Sequence, residues 1–213
     1  MTDLVLWRHG QTDYNATRRV QGRVDIALNE VGLAQAEAAA PRLAALVPTR
    51  IVSSPLARAR VTAEALARLV GLGVEVEPEL AERSFGAWEG LTGAEIQAGW
   101  PEQFAVWRSG GDPQGVDVEP RAQVAARVGS ALESLAADAG EGEVVVAVAH
   151  GAATTLGATH LLGLDPSSWF GLRGMDNCHH AVLRSGGRDP GWMLVAWNEG
   201  AVVPMAGPGG FLS

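Results

Sequence analysis

Apolar positions along this chain fall into two patterns. Leu4–Trp7, Ile51–Val52, Val74–Val76 and Val144–Ala149 are short apolar or Val-rich runs. They are too short for helices and read as strands, with Leu4–Trp7 fully buried. Longer stretches with helical spacing lie between them. Asn29 caps a helix that runs to about Leu46, with a kink or break expected at Pro41. Ser54-Pro55 forms an N-cap and N1 pair, opening a helix to about Val70. Glu119–Ala137 places Val124, Val128, Leu132 and Leu135 on one helical stripe. Ala152–Leu162 is a further helix, and His179–Leu183 and Trp192–Trp197 are a final pair of strands. Strands alternating with helices predict an α/β fold: a three-layer α/β/α sandwich whose mostly parallel sheet is covered on both faces. No repeat or internal linker divides the chain. The expectation is one domain over 1–198, with a cap-like insertion around 92–118 and a flexible Gly/Pro-rich tail over 199–213.

One segment imitates a membrane span. Val144–Leu164 is 21 residues without Asp, Glu or Arg. Its β-rich start, the turn at His150-Gly151 and the small-residue continuation read instead as strand, loop and helix. The early run Leu4–Trp7 is too short for a signal-peptide core and is cut by Arg8. A cytoplasmic protein is expected.

Composition then narrows the chemistry. The single cysteine, Cys178, excludes an internal disulfide framework and a cysteine-based zinc site. All 16 basic residues are Arg, which excludes a P-loop lysine, a Schiff-base lysine and a Ser-Lys dyad. The net charge of −8 argues against nucleic-acid backbone binding. The charge is uneven, because residues 1–60 carry eight Arg against five acids. A basic first third in an acidic chain points to a local anion site.

Two strands end alike, one in Arg8-His9-Gly10 and the other in His150-Gly151. In open α/β sheets ligands bind beyond the carboxyl ends of strands, so these histidines can converge. The exit after Arg8 continues with Gln11, Thr12, Asp13 and Asn15. Ser53–Arg60 places Arg58 in the first turn of a helix, whose N-terminus already favours anions. Leu80–Gly90 sets Glu82 beside apolar and aromatic residues, where a raised pKa is expected. Two Arg, two His and a protonatable Glu make a phosphate-cleaving set. Arg forks hold the phosphoryl oxygens, a neutral His attacks phosphorus, and the carboxylic acid protonates the leaving group.

These residues carry a resemblance to the histidine phosphatase superfamily, in its phosphoglycerate mutase-like branch. The resemblance runs from about residue 3 to 198. It rests on Arg8-His9-Gly10 with Gln11-Thr12 and Asn15, on Ser53–Ala63 with Arg58, on Glu82–Gly90, and on His150-Gly151. It implies that His9 is the nucleophile and forms a phosphohistidine. Arg8, Arg58 and His150 would bind the phosphoryl group and stabilise its transition state. Glu82 would protonate the leaving oxygen and then activate water. Asn15, Thr12, Gln21, Gly22 and Gly151 would contact the phosphate. No metal and no cofactor are implied, and no metal-ligand spacing of the H-E-x-x-H kind is present.

The family contains mutases and phosphatases. Its mutases carry an E-R-H-Y-G string, which stands here as Glu82-Arg83-Ser84-Phe85-Gly86, and the Glu82-to-His150 interval is compact. Both features favour hydrolysis of a small phosphomonoester. A cofactor-dependent phosphoglycerate mutase and a non-catalytic phosphate-binding scaffold are the alternatives. Within the phosphatases, the Arg8–Asn15 start and Gly174-Met175-Asp176-Asn177 are most similar to the actinobacterial glucosyl-3-phosphoglycerate phosphatases. The expected partner is a small-molecule phosphomonoester, with no nucleic acid and no membrane. The oligomeric state stays open, a homodimer included. Glu89 competes with Glu82 for the acid role and Arg60 with Arg58 for phosphate. Arg18, Arg19 and Arg23 read as solvated loop charges. Trp100 and Trp107 could line a substrate pocket, and Asn177 could reach it.

Overall fold

The computed structural model of the chain describes residues 1–200. Its sheet has six strands: β1 (Asp3–Arg8), β2 (Arg50–Ser53), β3 (Val74–Val76), β4 (Val144–Ala149), β5 (His180–Ser185) and β6 (Trp192–Glu199). Their order is β3-β2-β4-β1-β5-β6. The first four in that order are parallel, while β5 and β6 are antiparallel additions at one edge. Among the described residues seven α-helices accompany them: α1 (Asp13–Ala16), α2 (Glu30–Ala44), α3 (Ala57–Val70), α4 (Gly93–Gly99), α5 (Pro101–Arg108), α6 (Arg121–Ala137) and α7 (Gly151–Leu161).

The strand alternation sorts the core into two layers, because successive side chains point to opposite faces. Leu4, Leu6, Val145 and Ala147 pack with Val124, Val128 and Leu132 of α6 and Leu156 of α7. Val5, Trp7, Val146 and Val148 pack with Ala36 and Leu43 of α2 and Leu66 of α3. Both faces are therefore covered, as a continuous apolar run in a parallel strand requires. A third cluster joins Phe85, Trp88, Ile96, Val116 and Val118, with Trp100, Phe104 and Trp107 against it. It gives the 92–118 stretch a small core of its own beside the sheet.

Several boundaries differ from the sequence reading. α2 runs unbroken through Pro41. The proline removes only one bond, to the carbonyl of Glu37, which is an exposed residue whose carbonyl water can satisfy. α3 begins at Ala57 after Leu56, not at Ser54-Pro55, because Ser54 has other work described below. Glu199, the first residue of the expected tail, ends β6. Residues 201–213 lie outside the described residues. Val144–Leu164 is β4, a turn and α7, and among the described residues no helix is long and apolar enough to cross a membrane.

One close approach ties the β1 exit to α2. A Cβ on Gly32 would stand 2.0 Å from the Gln11 carbonyl oxygen, and one on Gly10 would stand 2.4 Å from that of Gly32. Gly32→Ala should raise helix propensity by about 1 kcal/mol. The backbone clash should outweigh this, with a net loss of about 1–3 kcal/mol. Urea denaturation checks this expectation, and an unchanged or higher midpoint would contradict such close contact.

Candidate active site

The parallel strands bring the motifs together through their register. Arg8 pairs with Ala149 across β1 and β4, and the His9 amide donates to the Ala149 carbonyl at 3.1 Å. His9 and His150 therefore leave neighbouring strand ends side by side, with ring centroids 5.1 Å apart. On the other side of β4, Ser53 pairs with Val148, and the Ser54 amide donates to the Val148 carbonyl. That delivers Ser54 and the start of α3, with Arg58, to the same place. Arg8, His9, Asn15, Gln21, Gly22, Arg58, Glu82 and Gly151 line one cavity of about 60 Å³.

The tautomer of His9 follows from its partner. Nδ1 lies 2.7 Å from the Gly10 carbonyl oxygen, which can only accept. Nδ1 therefore carries the proton and Nε2 keeps a bare lone pair. Burial, then the guanidiniums of Arg58 and Arg8, hold the His9 imidazole well below the usual histidine range. The base is kept neutral, as a nucleophile must be.

His150 is fully buried behind this lining. Its Nε2 is 2.7 Å from the Ser54 hydroxyl oxygen. That oxygen also accepts the Leu56 amide at 3.3 Å, so its own hydrogen is free for His150. The contact fits either tautomer, and the other ring nitrogen, Nδ1, is buried with no partner among the described residues. Burial and Arg58 hold this imidazole low as well.

The arginines are held from behind. Arg58 donates to the carbonyls of Val24 and Gly22, each at 2.8 Å, and Arg8 donates to Met175. The Nε of each is buried without an acceptor among the described residues. Buried donors nearly always find partners. Two unmatched guanidinium N–H groups around one small cavity mark a place for an anion. Burial lowers both arginine pKa values from their ordinary level, and Glu82 opposes this shift in each.

Glu82 comes from the segment after β3 and meets the N-terminus of α7. Oε1 accepts from Arg83 N at 2.8 Å and Ala153 N at 2.9 Å, and Oε2 accepts from Ala152 N at 3.2 Å. The apolar setting expected for this carboxyl is therefore replaced by backbone amides at a helix end.

These features coincide with a known fold and family. A family model described as the histidine phosphatase superfamily (branch 1) matches residues 4–200. The chain belongs to this superfamily. The glucosyl-3-phosphoglycerate phosphatase of Mycobacterium tuberculosis is 41% identical over 94% of this chain and 96% of its own length. The solved structure of a mycobacterial glucosyl-3-phosphoglycerate phosphatase complexed with VO3 has a TM-score of 0.84 at 40% identity. It covers 93% of this chain and 99% of that one. A Yersinia enterocolitica protein named probable phosphoglycerate mutase is 34% identical over 92% of this chain and 90% of its own.

In this histidine phosphatase, one expected phosphate contact is placed elsewhere. Thr12 is fully buried and does not line the cavity. Its hydroxyl donates toward Gln21 Oε1 and Asn15 Oδ1 at 2.9 and 3.1 Å and accepts the Asn15 amide. It caps α1 and holds two lining residues. Arg60 is exposed, so Arg58 is the arginine at the cavity. Glu89 does not line the cavity; it accepts from the amides of Arg23 and Phe85 and braces the loop around Gly22. That loop needs glycine, since Gly22 has φ +53° and a Cβ there would meet Glu89. Arg19 lines the cavity edge while bonded to Gly90 and Glu95, and Arg23 reaches Glu119. Asn177 donates to the His9 carbonyl at 3.0 Å, a contact with the backbone of the site and not with its cavity. Sequence reasoning missed Ser54 as the partner of His150, although it lies inside the quoted Ser53–Ala63 segment. It also missed Arg127, which donates to the Ala81 and Glu82 carbonyls and pairs with Glu119. No local pattern links those residues. The single cysteine is inert by burial, its thiol pushed up to about 12.

The two site histidines make stability depend on pH, and His180, also held low by burial, adds to the effect in the same direction. In the unfolded chain each protonates near 6.5, and in the fold each resists protonation to lower pH. The unfolded state therefore binds more protons below about 6.5. Stability should be complete above that pH and fall beneath it, by up to about 1.4 kcal/mol per histidine per pH unit. Urea denaturation from pH 7.5 to 5.0 should show this loss. His150→Asn should flatten the slope, and an equal slope in the variant would contradict the assignment.

Proposed function

We propose that this chain is a phosphomonoesterase that works through a phosphohistidine, and that glucosyl-3-phosphoglycerate is its substrate. The observation that carries the chemistry is the bare Nε2 of a neutral His9 beside the unmatched donors of Arg8 and Arg58. The relative from M. tuberculosis, similar over nearly the full length of both chains, supports the substrate.

In the first half-reaction, His9 Nε2 attacks phosphorus and the bond to the ester oxygen breaks. Glu82 gives its proton to that oxygen. Its carboxyl group is held by three backbone amides, two on Oε1 and one on Oε2. Arg8 and Arg58, which line the cavity, offset the charge that builds on the phosphoryl oxygens, with His150 packed behind the lining. In the second half, water attacks phosphorus, Glu82 takes its proton, and the P–N bond breaks to release phosphate and free His9. Asn15, Gln21, Gly22 and Gly151 give polar contact around the phosphoryl group.

The test is phosphate release in EDTA from glucosyl-3-phosphoglycerate, 3-phosphoglycerate, several sugar phosphates and p-nitrophenyl phosphate. The 3-phosphoglycerate sample is also checked for 2-phosphoglycerate. Preferred release from glucosyl-3-phosphoglycerate is expected. Isomerisation without release would replace the reading with a mutase, and binding of phosphate without either reaction would replace it with a scaffold.

A further inference from the structure

A second cavity of about 380 Å³ adjoins the phosphoryl site and shares Phe85, Trp107, Gly151 and Ala152 with it. The phosphoryl cavity, at about 60 Å³, has no room for the rest of a metabolite. The larger one falls in the size range of small-molecule pockets. Its walls combine aromatic rings with arginine: Phe85, Trp107, Trp169 and Phe170 with Arg83 and Arg121.

The charges there are not balanced. Arg83 is buried and donates to Asp112 at 2.7 Å and to the Glu119 carbonyl. Asp112 also accepts the backbone amide of Arg121, so its oxygens are already engaged. The Arg121 guanidinium donates through Nε to the Pro166 carbonyl at 2.7 Å and lies 4.7 Å from the Phe170 ring centre. Among the described residues its two terminal nitrogens have no hydrogen-bond acceptor and no ion pair. A guanidinium fixed in plane by a ring and a carbonyl, with its outer edge free, is a carboxylate receptor. Next to it, Thr155 uses its hydrogen on the Gly151 carbonyl. Its oxygen retains a lone pair for a ligand hydroxyl. Flat indole faces beside a hydroxyl acceptor suit the C–H faces and O–H groups of a sugar ring.

We infer that this cavity holds the phosphate-free part of the substrate, with Arg121 on its carboxylate and Trp107 and Trp169 against its sugar ring. The inference rests on the phosphatase reading and assigns the residues that set its specificity. It implies a substrate that carries a carboxylate and a glycosyl group beyond its phosphate.

The test uses the full chain and two variants, Arg121→Gln and Trp169→Leu, each checked for folding by circular dichroism. Arg121→Gln should lower kcat/KM on both glucosyl-3-phosphoglycerate and 3-phosphoglycerate, relative to p-nitrophenyl phosphate, by about 10- to 100-fold. Trp169→Leu should lower the ratio of glucosyl-3-phosphoglycerate to 3-phosphoglycerate by about 10-fold. Equal changes across all substrates, or none, would overturn the assignment. Calorimetric titration with glucosylglycerate, which has no phosphate, separates this inference from the phosphatase reading. Weaker binding to Arg121→Gln than to the parent supports the subsite even if no phosphate is released. Equal binding, or no binding to either, refutes it.

Discussion

His9→Ala should abolish phosphate release, by about 10⁴-fold or more in kcat, while leaving the fold intact. The loss is large because, among the described residues lining the cavity, His9 carries the one imidazole, and the Glu82 oxygens are engaged by three backbone amides. His150 lies behind the cavity lining with Nε2 turned to Ser54, and the cysteine thiol is buried and far from ionising. The fold should survive because His9 contributes little to packing that alanine removes. It lines a polar cavity, and its Nδ1 bond runs only to the next residue's carbonyl. Its removal also relieves a buried imidazole held beside two guanidiniums. A matched circular dichroism spectrum with a melting temperature near the parent's would establish the fold. Acid-labile, base-stable phosphate on the quenched parent protein, missing from the variant, would establish the covalent step. A folded variant that turns over at a tenth of the parent rate would end the nucleophile assignment.

The convergence of the two histidine motifs was legible because they sit in contiguous strand exits. Arg8-His9-Gly10 and His150-Gly151 lie at the carboxyl ends of β1 and β4, and adjacency of those strands is the only tertiary fact needed to join them. Strand, helix and core stripe could be read for the same reason: each is a local period. What escaped the sequence depends on partners far along the chain. Ser54 looks like a helix cap until β2 is placed beside β4, when its hydroxyl meets His150. Thr12 looks like a phosphate contact until α1 forms, when its hydroxyl turns inward to Asn15 and Gln21. Arg127 and Glu119 brace the carbonyl of Glu82 through the tertiary fold alone. One miss had a local signal. Thr92-Gly93-Ala94-Glu95 is a capping box, and Pro101 stands at N1, so α4 and α5 could have been placed inside the 92–118 stretch.

The two cavities also draw on different parts of the chain. The phosphoryl site is assembled from sheet ends, where geometry is fixed by ladder hydrogen bonds. The larger cavity draws Trp107 from α5 and Trp169 and Phe170 from the loop after α7. Loops and short helices can change without disturbing β1, β2 or β4. A common phosphoryl-transfer centre can therefore serve different substrates, which is why similarity to both a phosphatase and a mutase is no contradiction.

Glu82→Gln should slow phosphoryl transfer to His9 from an alkyl phosphate by about 10²–10⁴-fold, and from p-nitrophenyl phosphate by much less. The difference comes from the leaving group. An alkoxide needs a proton as the P–O bond breaks, whereas nitrophenolate is stable enough to depart without one. Glutamine keeps the acceptor oxygen that can receive the Arg83 and Ala153 amides, so the cap on α7 is partly preserved. Its amide N–H₂, however, would face the Ala152 amide donor, and it cannot deliver a titrating proton. With p-nitrophenyl phosphate the first half-reaction should proceed, and the second should become limiting because no base draws a proton from water. A burst of nitrophenolate followed by slow turnover is therefore expected in stopped-flow records. Equal losses on both substrates without a burst would show that Glu82 acts by holding α7 and the arginines in place, and not by proton transfer. Glu82→Asp offers the complementary measurement: a shortened carboxylic acid should restore part of the activity on the alkyl phosphate only if a transferable proton is what glutamine lacks.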